Sequence, residues 1–139
     1  MKTTKEIGNL GESLAEEYLK EKGWKILSTN YCAKGGEIDI IGYKRKQLVF
    51  FEVKTRSSEN YGTPAQAVDR RKINCIRAAA SDFLWNYCGP CGLSAFTRMG
   101  RKTFKPVKEK RIDVIEVYLP DKKINHIKNI YNGEENELH

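Results

Sequence analysis

GGEIDIIGYKRKQLVFFEVKTR, residues 35–56, decides how this chain folds. It contains two apolar runs, EIDIIGY at 37–43 and QLVFFEVKT at 47–55. Only Lys44, Arg45 and Lys46 separate them, so the pair reads as an antiparallel hairpin. The second run is apolar on both faces, with Val49, Phe51 and Val53 on one and Leu48 and Phe50 on the other. Such a strand belongs in the centre of a sheet covered on both sides. Yet Glu37, Asp39, Glu52 and Lys54 sit where a sheet core wants Val and Ile. A buried charge is costly unless it is paired, hydrogen-bonded or bound to a metal.

Residues two apart on a strand share a face. Glu37 and Asp39 therefore share one face of their strand, and Glu52 and Lys54 one face of the next. If the hairpin aligns these faces, Asp39, Glu52 and Lys54 converge. Two carboxylates about 4 Å apart repel by roughly 4 kcal/mol at an effective dielectric near 20. One lysine offsets part of that, and a hard divalent cation does better, because carboxylate oxygens are its preferred ligands. This is the pattern of a Mg²⁺ site for phosphoryl chemistry, with the lysine placed to stabilise developing charge. The plain alternative is a set of ion pairs at the rim of a sheet. That reading suits any single Glu in a strand better than an E-x-D strand followed directly by an E-x-K strand.

Outward from the hairpin, an N-terminal helix carries a Thr3/Glu6 capping box and an apolar stripe of Ile7, Leu10, Gly11, Leu14, Ala15, Tyr18 and Leu19. Gly23 stops it. Glu12 falls about 100° or more from the middle of the stripe at 3.6 residues per turn, so it lies at the edge of the buried face, able to look into a neighbouring site. Residues 24–31 form a first strand. After the hairpin, Thr63, Pro64 and Gln66 read as the start of a second long helix ending between Asn86 and Gly89. LSAFT, RIDVIEVYL and INHIKNIY supply later strands, and residues 132–139 a frayed tail. Long helices around an apolar sheet predict an α/β sandwich, organised as one domain over 1–139.

With 139 residues the chain can bury a real core, and its formal net charge of +7 favours a polyanionic partner, nucleic acid before an acidic membrane surface. No apolar run is long enough to span a membrane and the N-terminus lacks a signal-peptide stretch, so a cytoplasmic protein with reduced Cys32, Cys75, Cys88 and Cys91 is expected. CGPC at 88–91 has the spacing of a redox motif, but it follows a helix instead of opening one, and Gly89 and Pro90 read more simply as a helix stop. The basic segment 88–110, with Arg98, Arg101, Lys102, Lys105, Lys108, Lys110 and Arg111, reads either as a phosphate-binding loop or as a solvated one. Trp85, Phe96 and Phe104 nearby could stack on bases. Arg56 and Lys72 lie close in sequence to the charged strands and could hold a phosphate.

EID followed thirteen residues after its Asp by EVK resembles the PD-(D/E)XK nuclease superfamily. GNLGESLAEEYLKEKGWKILSTNY, GGEIDIIG, LVFFEVKTR, GTPAQAVDRRK and RIDVIEVYL together resemble the YraN-like family of predicted bacterial endonucleases, distantly similar to Holliday-junction resolvases. The resemblance covers most of residues 7–131. It implies a restriction-endonuclease-like core with a mixed sheet between helices. It implies Asp39 and Glu52 as ligands of Mg²⁺ or Mn²⁺ with the Val53 carbonyl, Lys54 as catalytic lysine, and Glu12 as the acidic residue borne on the helix. Ile38 stands where the superfamily's name has Pro, Gln66 stands where an acidic residue is expected, and 88–110 is longer than the family's usual link.

The reading is a metal-dependent endonuclease acting on DNA phosphodiesters at branched or damaged sites, with Arg56, Lys72, Arg98, Arg101 and Lys102 as nucleic-acid contacts. A homodimer would match the two symmetric strands of a junction. The alternatives are a catalytically weak or inactive nucleic-acid-binding module on the same fold, a thiol redox protein using Cys88 and Cys91, and a protein-interaction domain with a basic face.

Overall fold

The computed structural model describes residues 3–57, 69–88, 95–98, 101–104 and 107–130. The chain runs α1 (Thr4–Glu21), β1 (Lys25–Ala33), β2 (Gly36–Lys44), β3 (Gln47–Arg56), α2 (Arg70–Cys88), β4 (Ala95–Arg98), β5 (Arg101–Phe104), β6 (Glu109–Tyr118) and β7 (Lys123–Ile127). Five strands form one sheet in the order β1-β2-β3-β6-β7. β3 and β6 pair in parallel and every other neighbour pair in this sheet is antiparallel. This is the α/β sandwich that the strand and helix patterns predict, with the mixed sheet that the family resemblance implies.

The β2–β3 hairpin turns on Arg45 and Lys46, whose φ values of 50° and 68° are both positive. That is the backbone of a two-residue turn matched to the right-handed twist of the strands. β3 is the central strand, and its two faces separate as its sequence dictates. Val49, Phe51 and Val53 pack with Ala15, Leu19, Trp24, Ile40, Ile115 and Val117 beneath α1. Leu48 and Phe50 pack with Ile38, Ile41, Ile76, Ala79, Ala80, Phe83 and Ile112 beneath α2.

α1 opens on the expected capping box, in which Thr3 Oγ1 accepts the Glu6 N–H and Glu6 Oε1 the Thr3 N–H. α2 opens at Arg70, where the Asp69 side chain accepts the Lys72 N–H at 2.9 Å. The expected start at Thr63, Pro64 and Gln66 lies outside the described residues, as do Cys91 and the tail at 132–139. Within the basic segment, β4 and β5 pair as a separate antiparallel ladder, so part of what reads as a loop is hairpin.

Two glycines set the helix-to-sheet distances. A methyl group on Gly11 would lie 1.9 Å from Thr55 Oγ1, so only glycine lets α1 lie this close to β3. A methyl on Gly36 would lie 1.9 Å from the Cys75 carbonyl oxygen, so the β1–β2 turn is pressed directly on the backbone of α2.

Candidate active site

The ladder between β2 and β3 extends from the hairpin turn to the pair Ile40–Phe51. Beyond it, Asp39 reaches across with its side chain, and its Oδ2 accepts the Val53 N–H at 2.8 Å. A side-chain oxygen thus takes the place a β2 carbonyl holds in a continued ladder. The N–H and C=O of one strand residue face the same edge, so the Val53 carbonyl is turned toward Asp39 as well.

Glu52 follows Leu48 and Phe50 on the α2 face of β3 and is 4% exposed. Two ammonium groups flank it. Lys54 Nζ and Lys72 Nζ each lie 3.6 Å from its Oε2. Lys54 comes from the same strand, and Lys72 reaches in from the first turn of α2. Both lysine side chains keep about a third or more of their surface in solvent, at 32% and 41%. They therefore stand at the mouth of the site.

The surroundings of these carboxyls disfavour their charged forms. Burial pushes Asp39 up, and the opposing pull of the Val53 N–H and Lys72 does not restore it. Burial and the charge of Asp39 push Glu52 up to about 7, with Lys72 and Lys54 resisting. The two acids also share a hydrogen bond. Glu12, half-buried on α1, is raised by burial and then by the charges of Asp39 and Glu37, with an Asn30 hydrogen bond acting in the other direction. The close approach that Gly11 permits brings the neighbouring Glu12 to this edge of the sheet.

The structure thus adds Lys72 to the group Glu12, Asp39, Glu52 and Lys54 that the sequence expects to converge. It places Arg56 elsewhere. The Arg56 guanidinium lies 3.3 Å from buried Glu116 with its side chain 12% exposed. Arg98, Arg101 and Lys102 belong to the β4–β5 ladder and are placed by backbone alone. Trp85, near the end of α2, is 63% exposed.

Sequence reasoning passes over Asn30. Its φ of 52° is left-handed, a conformation Asn tolerates better than most residues, and its side chain reaches Glu12. In a strand that already carries Lys25, Ser28 and Thr29, Asn30 leaves no distinctive signal in the sequence. Sequence reasoning also passes over Asp113 and Glu116, the buried acids of β6. Asp113 accepts from Arg111 Nε at 2.9 Å and the Asn129 N–H at 2.8 Å and bonds His126 Nε2 at 2.8 Å. Burial opposes its charge, but these partners outweigh it and hold the carboxyl below the usual range. Glu116 accepts from Arg56, Tyr118 and Asn125.

Among the described residues no group of three or more His, Cys, Asp or Glu side chains converges to hold an ion. A cation at this edge would therefore draw on two carboxylates, the Val53 carbonyl and water. That all-oxygen donor set fits a hard ion such as Mg²⁺ or Mn²⁺ and not a thiophilic one. The raised carboxyls fit it too, since a cation supplies the positive charge that the buried pair lacks.

Residues 11–117 match the model of the uncharacterised protein family UPF0102. A UPF0102 protein of Alkaliphilus oremlandii is 43% identical over 129 residues, covering 91% of this chain and 98% of its own length. One from Caldanaerobacter subterraneus subsp. tengcongensis is 42% identical, covering 91% and 95%. One from Clostridioides difficile is 39% identical, covering 91% and 97%. The motif set, the mixed sheet and these matches along nearly the whole chain agree, and the chain belongs to the UPF0102 family, the YraN-like family that its motifs resemble.

Proposed function

We propose that the protein is a metal-dependent endonuclease that hydrolyses DNA phosphodiesters, acting at branched or damaged DNA. One observation carries this reading: Asp39 and Glu52 are held together at the point where β2 and β3 part, under-neutralised, with two lysines at the rim. Structural ion pairs are arranged to satisfy charge. This pair is arranged to receive it.

When bound, Mg²⁺ or Mn²⁺ would supply a Lewis acid for the phosphoryl group and make water a better nucleophile. The chain's own groups do the rest. Asp39 and Glu52 hold oxygens in a fixed geometry, since Asp39 is pinned by the Val53 N–H and Glu52 is walled in by β3 and α2. Lys54, at the mouth, can leave Glu52 and donate to a non-bridging phosphate oxygen as negative charge grows there. Lys72 can do the same from the helix side. Glu12 with its raised pKa can carry a proton near the carboxylate pair and so serve in proton transfer.

The test is cleavage of labelled four-way junction, duplex and single-stranded DNA with Mg²⁺ or Mn²⁺, wild type beside Asp39→Ala and Glu52→Ala. Metal-dependent cutting that disappears in both variants is the expected result. Absence of cutting on every substrate by folded wild-type protein would refute it. Tight salt-sensitive binding in that case would favour the binding-module reading.

A further inference from the structure

On the flank of α2 that faces away from its buried stripe, an open cavity of about 430 Å³ lies against the β1–β2 turn. Among the described residues it is lined by Gly35, Arg70, Arg71, Asn74 and Cys75. Arg70, Arg71 and Asn74 are exposed, and among the described residues neither guanidinium has a carboxylate partner. The nearest acid in sequence, Asp69, is turned to the Lys72 N–H. Lys34, next to Gly35 in the turn, is exposed and likewise without an ion pair among the described residues. The two charged residues that line the groove, Arg70 and Arg71, are therefore both positive and without an ion pair among the described residues.

The position of the groove matters as much as its charge. Arg71 adjoins Lys72, whose ammonium is on Glu52. At 100° per residue, Lys72, Cys75, Arg71 and Asn74 succeed one another around the helix in steps of about 40–60°. From Lys72 at the carboxylate pair, the basic side chains thus continue past uncharged Cys75 to Arg71 and into the groove. The floor at the other end is Gly35, and next to it Gly36 lies directly on the Cys75 carbonyl. Gly35, exposed on the groove wall, carries no side chain there, while the space beside Gly36 is filled by the Cys75 carbonyl.

We infer that this groove, between the first turns of α2 and the β1–β2 turn, binds the sugar–phosphate backbone of the DNA strand flanking the phosphate held at Asp39 and Glu52. Arg70 and Arg71 each take a phosphate, Asn74 donates a hydrogen bond, and the bare wall at Gly35 admits the sugar edge. The contact reads no base, so it serves affinity and register for any sequence. The inference rests on the nuclease reading for the direction of the strand but concerns binding alone.

The experiment is anisotropy of labelled duplex and four-way junction DNA, titrated in EDTA across a salt series so that no cleavage intervenes. Wild type is compared with Arg70→Gln/Arg71→Gln, with Asn74→Asp, and with Lys123→Gln/Lys128→Gln, a pair of exposed lysines toward the opposite edge of the sheet. Loss of two phosphate contacts should reduce the slope of log affinity against log salt by roughly 1.8. Asn74→Asp, which places a negative charge in the groove at constant shape, should weaken binding on both DNAs alike. Urea midpoints of all variants should match wild type, since the altered side chains are exposed. The inference is overturned if the double arginine variant keeps the slope of the lysine control, or if wild type binds neither DNA. Cutting by wild type with an unchanged slope in the arginine variant would refute the groove and spare the nuclease. Groove-dependent binding without cutting would do the reverse.

Discussion

Glu52→Gln should make the metal-free protein more stable at pH 8, with a much smaller gain at pH 5. The Glu52 carboxyl stands at about 7 in the folded chain, against 4.5 for the free side chain. Its folded pKa is raised, so the folded state favours its protonated form. The stability this provides is complete below pH 4.5 and lost as pH rises through 7. A displacement of this size corresponds to about 3 kcal/mol once the group is fully ionised. The displacement is net of the attraction from Lys72 and Lys54, which Gln would forfeit. Gln keeps the shape of the buried side chain without its charge, and both lysines can turn to solvent.

Urea unfolding in EDTA at pH 5 and pH 8 measures the effect. The variant's advantage should be no more than about 1 kcal/mol at pH 5 and reach about 2–3 kcal/mol at pH 8. Added Mn²⁺ should then raise wild-type stability at pH 8, by about 2.7 kcal/mol at a concentration 100 times the dissociation constant. It should leave Glu52→Gln unmoved. A variant that is less stable than wild type at pH 8, or whose advantage is the same at both pH values, would refute the claim that this carboxyl is under-neutralised.

Gly11→Ala should destabilise by about 1–3 kcal/mol, because the added methyl meets Thr55. Thr55→Ala in the same chain should restore part of that, read by thermal melts, because Thr55 Cβ would still lie 3.0 Å away. Gly36→Ala meets a backbone carbonyl that cannot turn aside, so no single side-chain change should rescue it. Asp113→Asn should cost about 3–5 kcal/mol at pH 7, since it leaves Arg111 and His126 without the buried charge they face. Its folded pKa is lowered, so the wild-type advantage should persist above the ordinary Asp range and shrink as pH falls below it, visible as a flatter acid limb in the variant.

The central strand was legible because its two faces are both apolar. Leu48 and Phe50 went to one helix and Val49, Phe51 and Val53 to the other, as alternation requires. The site was legible for the same reason, since Glu52 and Lys54 are the two residues that break that alternation. Arg56 was misleading because sequence nearness to the site says nothing of depth. It lies beside Tyr118 in the parallel ladder, and its charge is taken by Glu116. Lys72 was legible only as a basic residue. Its reach to Glu52 depends on where α2 crosses the sheet, and that is set by the contact of Gly36 with Cys75, a backbone meeting with no periodic signature.

The two sets of buried acids show what separates a structural charge from a working one. Asp113 has a guanidinium, an imidazole and a backbone N–H on it, and its carboxyl is held low. Glu116 has a guanidinium, a phenol and an amide. Asp39 has one N–H and a neighbouring acid, and Glu52 has two ammonium groups at 3.6 Å that also face solvent. Glu52 and Asp113 are both buried in the same sheet yet shift in opposite directions, so burial alone cannot be the difference. The difference is the number of committed donors. The fold can saturate a buried carboxylate where it has reason to, as it does twice on β6. At the parting of β2 and β3 it leaves the positive charge movable, which is the freedom the proposed site would need if a metal ion and a phosphate are to displace a lysine there.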